Sequence, residues 1–273
     1  MRPIAVVGNL ACDLVEGGPR PGGGPFHAAR ALRLLGDPAV ILAKSAAGDR
    51  DMMLPPLQAF GLPVRWRGGA TTATFAFDYV GDVRRMEVEA VGDPWTPDDV
   101  LGWAASALER TAWVHVAPLA RTDFPAETLA ALAKGRRILL DAQGLVRSPQ
   151  TGPLVLDDGY DPDVLRHLSV LKLAEEEAQV VLDDFSEASV LSLGVPEVLL
   201  TLGSRGSIVY AEGEVVEIPA RPVDVEPTGA GDGFAAAYVA ARARGHSPVT
   251  AAKRATATIG AVLERRLTER QRR

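Results

Sequence analysis

Short β-branched and aliphatic runs alternate with Ala/Leu-rich stretches of helical length along the chain. The strand candidates span residues 4–7, 39–42, 113–116, 137–140, 170–173 and 197–201. The helix candidates span 25–35, 52–60, 97–109, 125–133, 174–183, 186–193, 229–244 and 248–267. Strands that alternate with helices build βαβ units around a mostly parallel sheet, with helices on both faces. The alternation therefore predicts an α/β fold with a three-layer, doubly wound sheet. A single domain over residues 1–273 accounts for the chain.

One stretch breaks this rhythm. Residues 71–80 read TTATFAFDYV and residues 83–89 read VRRMEVE, with Gly81-Asp82 between them. Two strand-like arms about a Gly-Asp pair predict a hairpin, and Phe75, Phe77 and Tyr79 share one of its faces. We expect a small antiparallel β lid over 71–89. The Pro-containing stretches 17–25, 148–153 and 157–162 read as loops. The C-terminal ERRLTERQRR, with five arginines and two glutamates, reads as a solvated helix end, with phosphate binding as the minor alternative.

Composition excludes several classes. Apolar residues are 47% and charged residues 23%, the mix of a globular protein and not of a disordered one. The net charge of −6 argues against nucleic acid as a partner, since that needs a basic face. The single cysteine, Cys12, excludes an internal disulfide and suits a reducing cytoplasm. No run reaches the roughly 18 apolar residues of a membrane span. His27, His115, His167 and His246 are scattered without a zinc-ligand spacing, and His115 reads as a satisfied core residue. The chain lacks the G-x-x-x-x-G-K-[ST] of a P-loop.

The segment with the most chemical content is Glu226-Pro227-Thr228-Gly229-Ala230-Gly231-Asp232-Gly233-Phe234, followed by an Ala-rich helix. Small residues let a backbone approach a ligand closely. The free N–H groups and positive dipole end of the helix make an anion site. Asp232 at the same helix start can accept a proton from an attacking hydroxyl. An anion hole and a base in one short loop are the needs of phosphoryl transfer to an alcohol.

This segment resembles the second signature of the ribokinase (PfkB) family of sugar kinases, D-T-x-G-A-G-D. GAGD is intact at Gly229, Ala230, Gly231 and Asp232, and Glu226-Pro227 replaces the leading Asp-Thr. The resemblance implies a ribokinase-like fold and ATP-dependent phosphorylation of a sugar, polyol or nucleoside hydroxyl. It makes Asp232 the catalytic base and the loop amides the anion hole. It also implies Mg2+ and, in many members, a monovalent cation such as K+, for which the Glu226 replacement matters.

Other segments resemble the family in order. Asp13, after the first strand, matches a substrate-binding Asp. Gly22-Gly23-Gly24-Pro25-Phe26-His27 resembles the first signature, with His27 where the family usually has Asn. Gly23, Gly24 and His27 are therefore substrate candidates. The segment 171–177 resembles the N-x-x-E motif, with Ala174 for Asn and Glu177 as the metal-organising carboxylate. Thr201-Leu202-Gly203-Ser204-Arg205-Gly206 resembles the T-x-G-x-x-G nucleotide segment. Lys172, Thr201, Gly203, Arg205, Gly206 and Thr228 are the ATP-binding candidates.

Asp141, Gln143 and Arg147 follow a strand as D-x-Q-x-x-x-R. This form, the triple glycine and the TTAT run resemble a short subgroup that includes myo-inositol kinases. The implied acceptor is a polyol, myo-inositol first. An Asp141–Arg147 salt bridge is the alternative use of that loop. A nucleoside acceptor would use Phe75, Phe77 or Tyr79. A phosphosugar acceptor would want a basic cluster such as Arg84-Arg85. A binding protein that has lost turnover is the remaining alternative. The resemblance also makes a homodimer through the lid an expectation.

Overall fold

The computed structural model describes residues 3–80, 83–225 and 227–271. Its strands are β1 (Ile4–Asn9), β2 (Ala11–Val15), β3 (Gly18–Gly22), β4 (Ala39–Ala46), β5 (Val64–Gly69), β6 (Ala73–Val80), β7 (Val83–Ala90), β8 (Trp113–Ala117), β9 (Arg137–Asp141), β10 (Gly152–Pro153), β11 (Val170–Ala174), β12 (Glu197–Thr201), β13 (Ser207–Ala211) and β14 (Glu214–Ile218). Its helices are α1 (Gly24–Leu35), α2 (Arg50–Gln58), α3 (Pro97–Leu101), α4 (Ala105–Leu108), α5 (Ala126–Ala133), α6 (Gln143–Val146), α7 (Glu175–Val181), α8 (Glu187–Leu191), α9 (Ala230–Ala243) and α10 (Pro248–Gln271).

The large sheet has the order β14-β13-β12-β11-β9-β8-β1-β4-β5. It is parallel from β12 to β5, and β13 and β14 add antiparallel strands at one edge. Parallel strands buried on both faces read as continuous apolar runs, and β1 shows why. Ile4 and Val6 pack with α1, α2, α9 and α10, while Ala5 and Val7 pack with α3, α4, α5 and α7. Helix α9 is buried continuously from Asp232 to Ala241. Its glycine and alanines permit this. A Cβ on Gly233 would meet Ile259 of α10 at 2.7 Å and Ala31 of α1 at 3.3 Å.

The antiparallel excursion is larger than a hairpin. β6 and β7 pair antiparallel as expected, and their Gly81-Asp82 turn lies outside the described residues. They belong to a second sheet ordered β10-β7-β6-β2-β3. The stretch 17–25, read as loop, instead contains β3 and opens α1. Pro19 and Pro21 hid it. Proline cannot serve an interior ladder, but β3 is an edge strand, where a missing N–H costs nothing. The expected helix over 97–109 is two short helices. Gly102 ends the first with φ −97° and ψ −107°, outside the helical region. Among the described residues, no helix is long and apolar enough to cross a membrane.

Candidate active site

Strands β9, β11 and β12 run parallel, so Asp141, Ala174 and Thr201 emerge at one sheet edge. Ligands collect at such carboxyl ends in open α/β sheets. Helix α9 starts there. Its N-cap, Gly229, is left-handed with φ 75°, and a Cβ on it would collide with the His27 ring. Glycine is required on both counts. The Ala230 amide is already used, donating to Pro227 O at 2.8 Å. The following amides, of Gly231 and Asp232, have no carbonyl partner inside the helix.

Asp232 is buried, and its Oδ1 has no hydrogen-bond partner among the described residues. Burial, and then the neighbouring Asp141 carboxylate, push its pKa up to about 7. Lys172 and Arg147 pull the other way. A carboxylate poised near neutrality is suited to general-base work.

Lys172 is held beneath the loop. Its Nζ lies 3.2 Å from Asp141 Oδ2 and 3.7 Å from Glu177 Oε2. Desolvation opposes its charge, but Asp141, Glu177 and Asp232 hold the ammonium protonated, with its pKa raised. A Cβ on Gly231 would stand 3.1 Å from that Nζ. Glu177 is not the solvated helix-start glutamate that three consecutive acids suggest. It is buried, and its Oε2 accepts from the Ala174 amide at 2.7 Å, capping the first turn of α7 from one side only, since the N-cap alanine has no side-chain acceptor to return the bond. Burial raises its pKa, against the pull of Lys172.

The three glycines of the first signature serve three close approaches. A Cβ on Gly22 would strike the Asp13 carboxylate. Gly23 has φ 88° and faces Asn9 O at 2.6 Å from a hypothetical Cβ. Gly24 faces Asp232 Oδ1. Asp13 and His27 thereby line a cavity of about 900 Å³ together with Thr228. A second cavity, of about 350 Å³, is lined by Thr201, Gly203, Gly206, Ala230 and Gly231. Val225 lines both. Val225, Pro227, Thr228, Ala230 and Gly231 thus stand between two compartments, each large enough for a small ligand of about 300–1,000 Å³ pocket volume.

Not every candidate reaches a cavity. Asp141 pairs with Lys172, and no Asp141–Arg147 ion pair occurs among the described residues. Gln143 is buried at the start of α6, and its backbone N–H donates to Asp141 Oδ1 at 3.3 Å. Arg147 acts on Asp232 and Glu177 through its charge. Arg205 is exposed and ion-paired with Glu175. Among the described residues no group of three His, Cys, Asp or Glu could hold a metal by itself. Glu226 lies outside the described residues. His115 is in the core as expected, but it is not satisfied: neither ring nitrogen has a partner among the described residues, and desolvation holds it neutral with a pKa near 4.

Sequence reasoning missed the apolar wall of the smaller cavity, formed by Val223, Phe234, Ile259 and Leu263. It also missed Arg30, which lines the larger one. Arg30 was legible as the residue one helical turn after His27.

Comparison with known proteins agrees with this geometry. Residues 14–271 match the family described as pfkB family carbohydrate kinase, and the chain belongs to that family. It is therefore a carbohydrate kinase, a phosphotransferase that acts on a hydroxyl group. Among curated proteins it is similar to the ribokinase of Bacillus subtilis (strain 168), with 26% identity over 269 residues, covering 90% of this chain and 87% of that protein. Among solved structures it is similar to a pyrophosphate-dependent kinase in the ribokinase family complexed with a pyrophosphate analog and myo-inositol. That likeness has 25% identity, TM-score 0.82, and coverage of 96% and 95% of the two chains. The ribokinase of Arabidopsis thaliana complexed with ribose and ATP shares the fold, at 20% identity and TM-score 0.69, with 96% and 93% covered.

Proposed function

We propose that this protein transfers the γ-phosphoryl group of ATP to a hydroxyl of a small sugar or polyol, with myo-inositol the parent acceptor to test first. The observation that carries this reading is the unpartnered Oδ1 of Asp232, buried at the start of α9 beside the wall between two cavities. The acceptor occupies the larger cavity, positioned by Asp13 and His27 and by the bare backbone of Gly23 and Gly24. The donor phosphates lie at the amides of Gly231 and Asp232, with Lys172 beneath. Asp232 takes the proton of the attacking hydroxyl. The hydroxyl oxygen forms a bond to the γ-phosphorus, the bond from that phosphorus to the β,γ-bridging oxygen breaks, and ADP leaves with the electron pair. The loop amides bear the charge that develops.

ATP as donor is supported by the smaller cavity. Val223, Phe234, Ile259 and Leu263 give it apolar walls suited to a nucleoside. Thr201, Gly203 and Gly206 also line it. Bound with the triphosphate, Mg2+ would neutralise phosphate charge. Glu177 is the carboxylate close to the site for it, and a single carboxylate suffices for an ion that keeps its waters. Pyrophosphate is the second reading of the donor, favoured by the likeness at TM-score 0.82 to a pyrophosphate-dependent kinase. The second sheet, carrying Asp13 and Phe77 on the cavity side, serves as the lid. It is also the surface through which two copies would pair. Its edge strands β3 and β10 both carry proline, which disfavours edge-to-edge pairing and leaves the sheet face. Transfer of labelled phosphate to myo-inositol from Mg-ATP and, separately, from pyrophosphate tests donor and acceptor together. Turnover with pyrophosphate alone overturns the ATP assignment.

A further inference from the structure

The C-terminal segment is not simply a solvated helix end. Helix α10 runs past both compartments and past the loop between them. Ile259 and Leu263 line the smaller cavity, while Val262, Arg265 and Arg266 line the larger one. Arg266 also reaches the loop itself. Its Nη1 donates to Thr228 O at 2.8 Å, a bond between residues 38 apart in the chain.

The loop needs such a tether. The stretch 219–229, between β14 and α9, holds neither helix nor strand among its described residues. Pro227 has no N–H to donate. Gly229 has φ 75°, a conformation that glycine permits but does not enforce. Two backbone bonds close the turn locally, from Ala230 N to Pro227 O at 2.8 Å and from Gly233 N to Gly229 O at 3.0 Å. Neither ties the loop to another element. The Thr228 carbonyl belongs to the peptide plane that leads into the N-cap. A guanidinium fixed on it therefore sets the direction in which α9 begins. A charged donor makes a stronger bond to a carbonyl than a neutral one, and the rigid fork of arginine keeps its orientation. The charge also adds to the positive end of α9, where negative charge gathers during transfer.

We propose that Arg266 is a positioning residue for phosphoryl transfer: from α10 it holds the Thr228 carbonyl, and so aims the Gly231 and Asp232 amides and the Asp232 carboxylate at the reacting group. This inference rests on the assignment of those amides to the donor phosphates. It gives the end of α10 a catalytic purpose distinct from lining the larger cavity. A residue that acts through the loop changes how well the transition state is held and leaves the binding of both substrates nearly alone.

The test measures kcat and KM with Mg-ATP and myo-inositol in the wild type, Arg266→Met and Arg266→Lys. Arg266→Met should lower kcat by about 10- to 100-fold, the range of one charge-assisted hydrogen bond, with both KM values within about threefold of wild type. Arg266→Lys keeps the charge and a donor and should recover most of that loss. A wild-type kcat in Arg266→Met overturns the proposal. So does a raised KM for myo-inositol at unchanged kcat, which would make Arg266 a substrate contact, and so does a lysine variant no better than the methionine one. Hydrogen exchange at the Ala230 and Gly233 amides needs no turnover, so it separates this proposal from the kinase assignment. If the wild type turns over neither substrate, that assignment fails, and exchange alone decides the tether. Exchange at least about tenfold faster at these two amides in Arg266→Met, with the middle of α9 unchanged, supports it. Equal exchange overturns it. Should Arg266→Met not fold, Arg266→Gln takes its place in both measurements.

Discussion

Gly24 and Asp232 face each other across the site: a Cβ on Gly24 would stand 2.9 Å from Asp232 Oδ1 and would also collide with Ala117. The first turn of α1 and the first turn of α9 are therefore fitted to one another at the atom assigned as base. Gly24→Ala tests this fit. The added methyl should displace the carboxylate and lower kcat at least tenfold. The overpacking itself should cost about 1–3 kcal/mol of stability. A variant that loses that stability yet keeps wild-type kcat would show that the contact does not position the base.

The pKa of Asp232 sets a pH dependence. Burial and Asp141 raise it to about 7, and only the deprotonated carboxylate can accept a proton. kcat/KM should rise as pH increases through about 7 and level off above it. A profile flat from pH 5.5 to 8 would place the titrating base elsewhere.

Lys172 acts in the opposite sense on the same group. Its ammonium lowers the Asp232 pKa and balances Asp141 and Glu177. Lys172→Met leaves those carboxylates buried without a cation, and it should destabilise the protein by about 3–5 kcal/mol. Any turnover that survives should have its pH midpoint shifted upward. A downward shift would contradict the electrostatic arrangement described here.

The sequence made the reacting loop readable because its chemistry is local. GAGD and the turn before α1 consist of glycines, one alanine and a carboxylate, residue types that mark turns and helix starts. The parallel strands were readable from their apolar runs. The second sheet was harder, because β3 carries Pro19 and Pro21, residues that only an edge strand accepts. The partner of Asp141 was not readable either. Arg147 is near in sequence, but Lys172 is brought alongside by the parallel register of β9 and β11, a pairing no local pattern encodes.

Gly260 offers a way to separate donor from fold. It lies within α10 and lines the smaller cavity, and a Cβ there meets nothing within 4 Å. Gly260→Leu should raise intrinsic helix stability by up to about 1 kcal/mol while filling the space assigned to the nucleoside. The expected result is an unchanged or higher Tm with KM for ATP raised about tenfold. An unaltered KM for ATP would move the nucleoside out of this cavity.

The most direct measurement is coupled ADP release from Mg-ATP, dependent on added polyol, in the wild type and in Asp232→Asn. The account predicts acceptor-dependent release that falls by at least a hundredfold in the variant, while ATP binding is retained. Thermal unfolding of the same variant gives a second reading. A carboxyl with a raised folded pKa adds stability at low pH that is lost as pH rises through about 7. Asp232→Asn should therefore melt about 2–4 °C above wild type at pH 8, for each kcal/mol regained. An Asp232→Asn protein that releases ADP at the wild-type rate would contradict the assignment of the base.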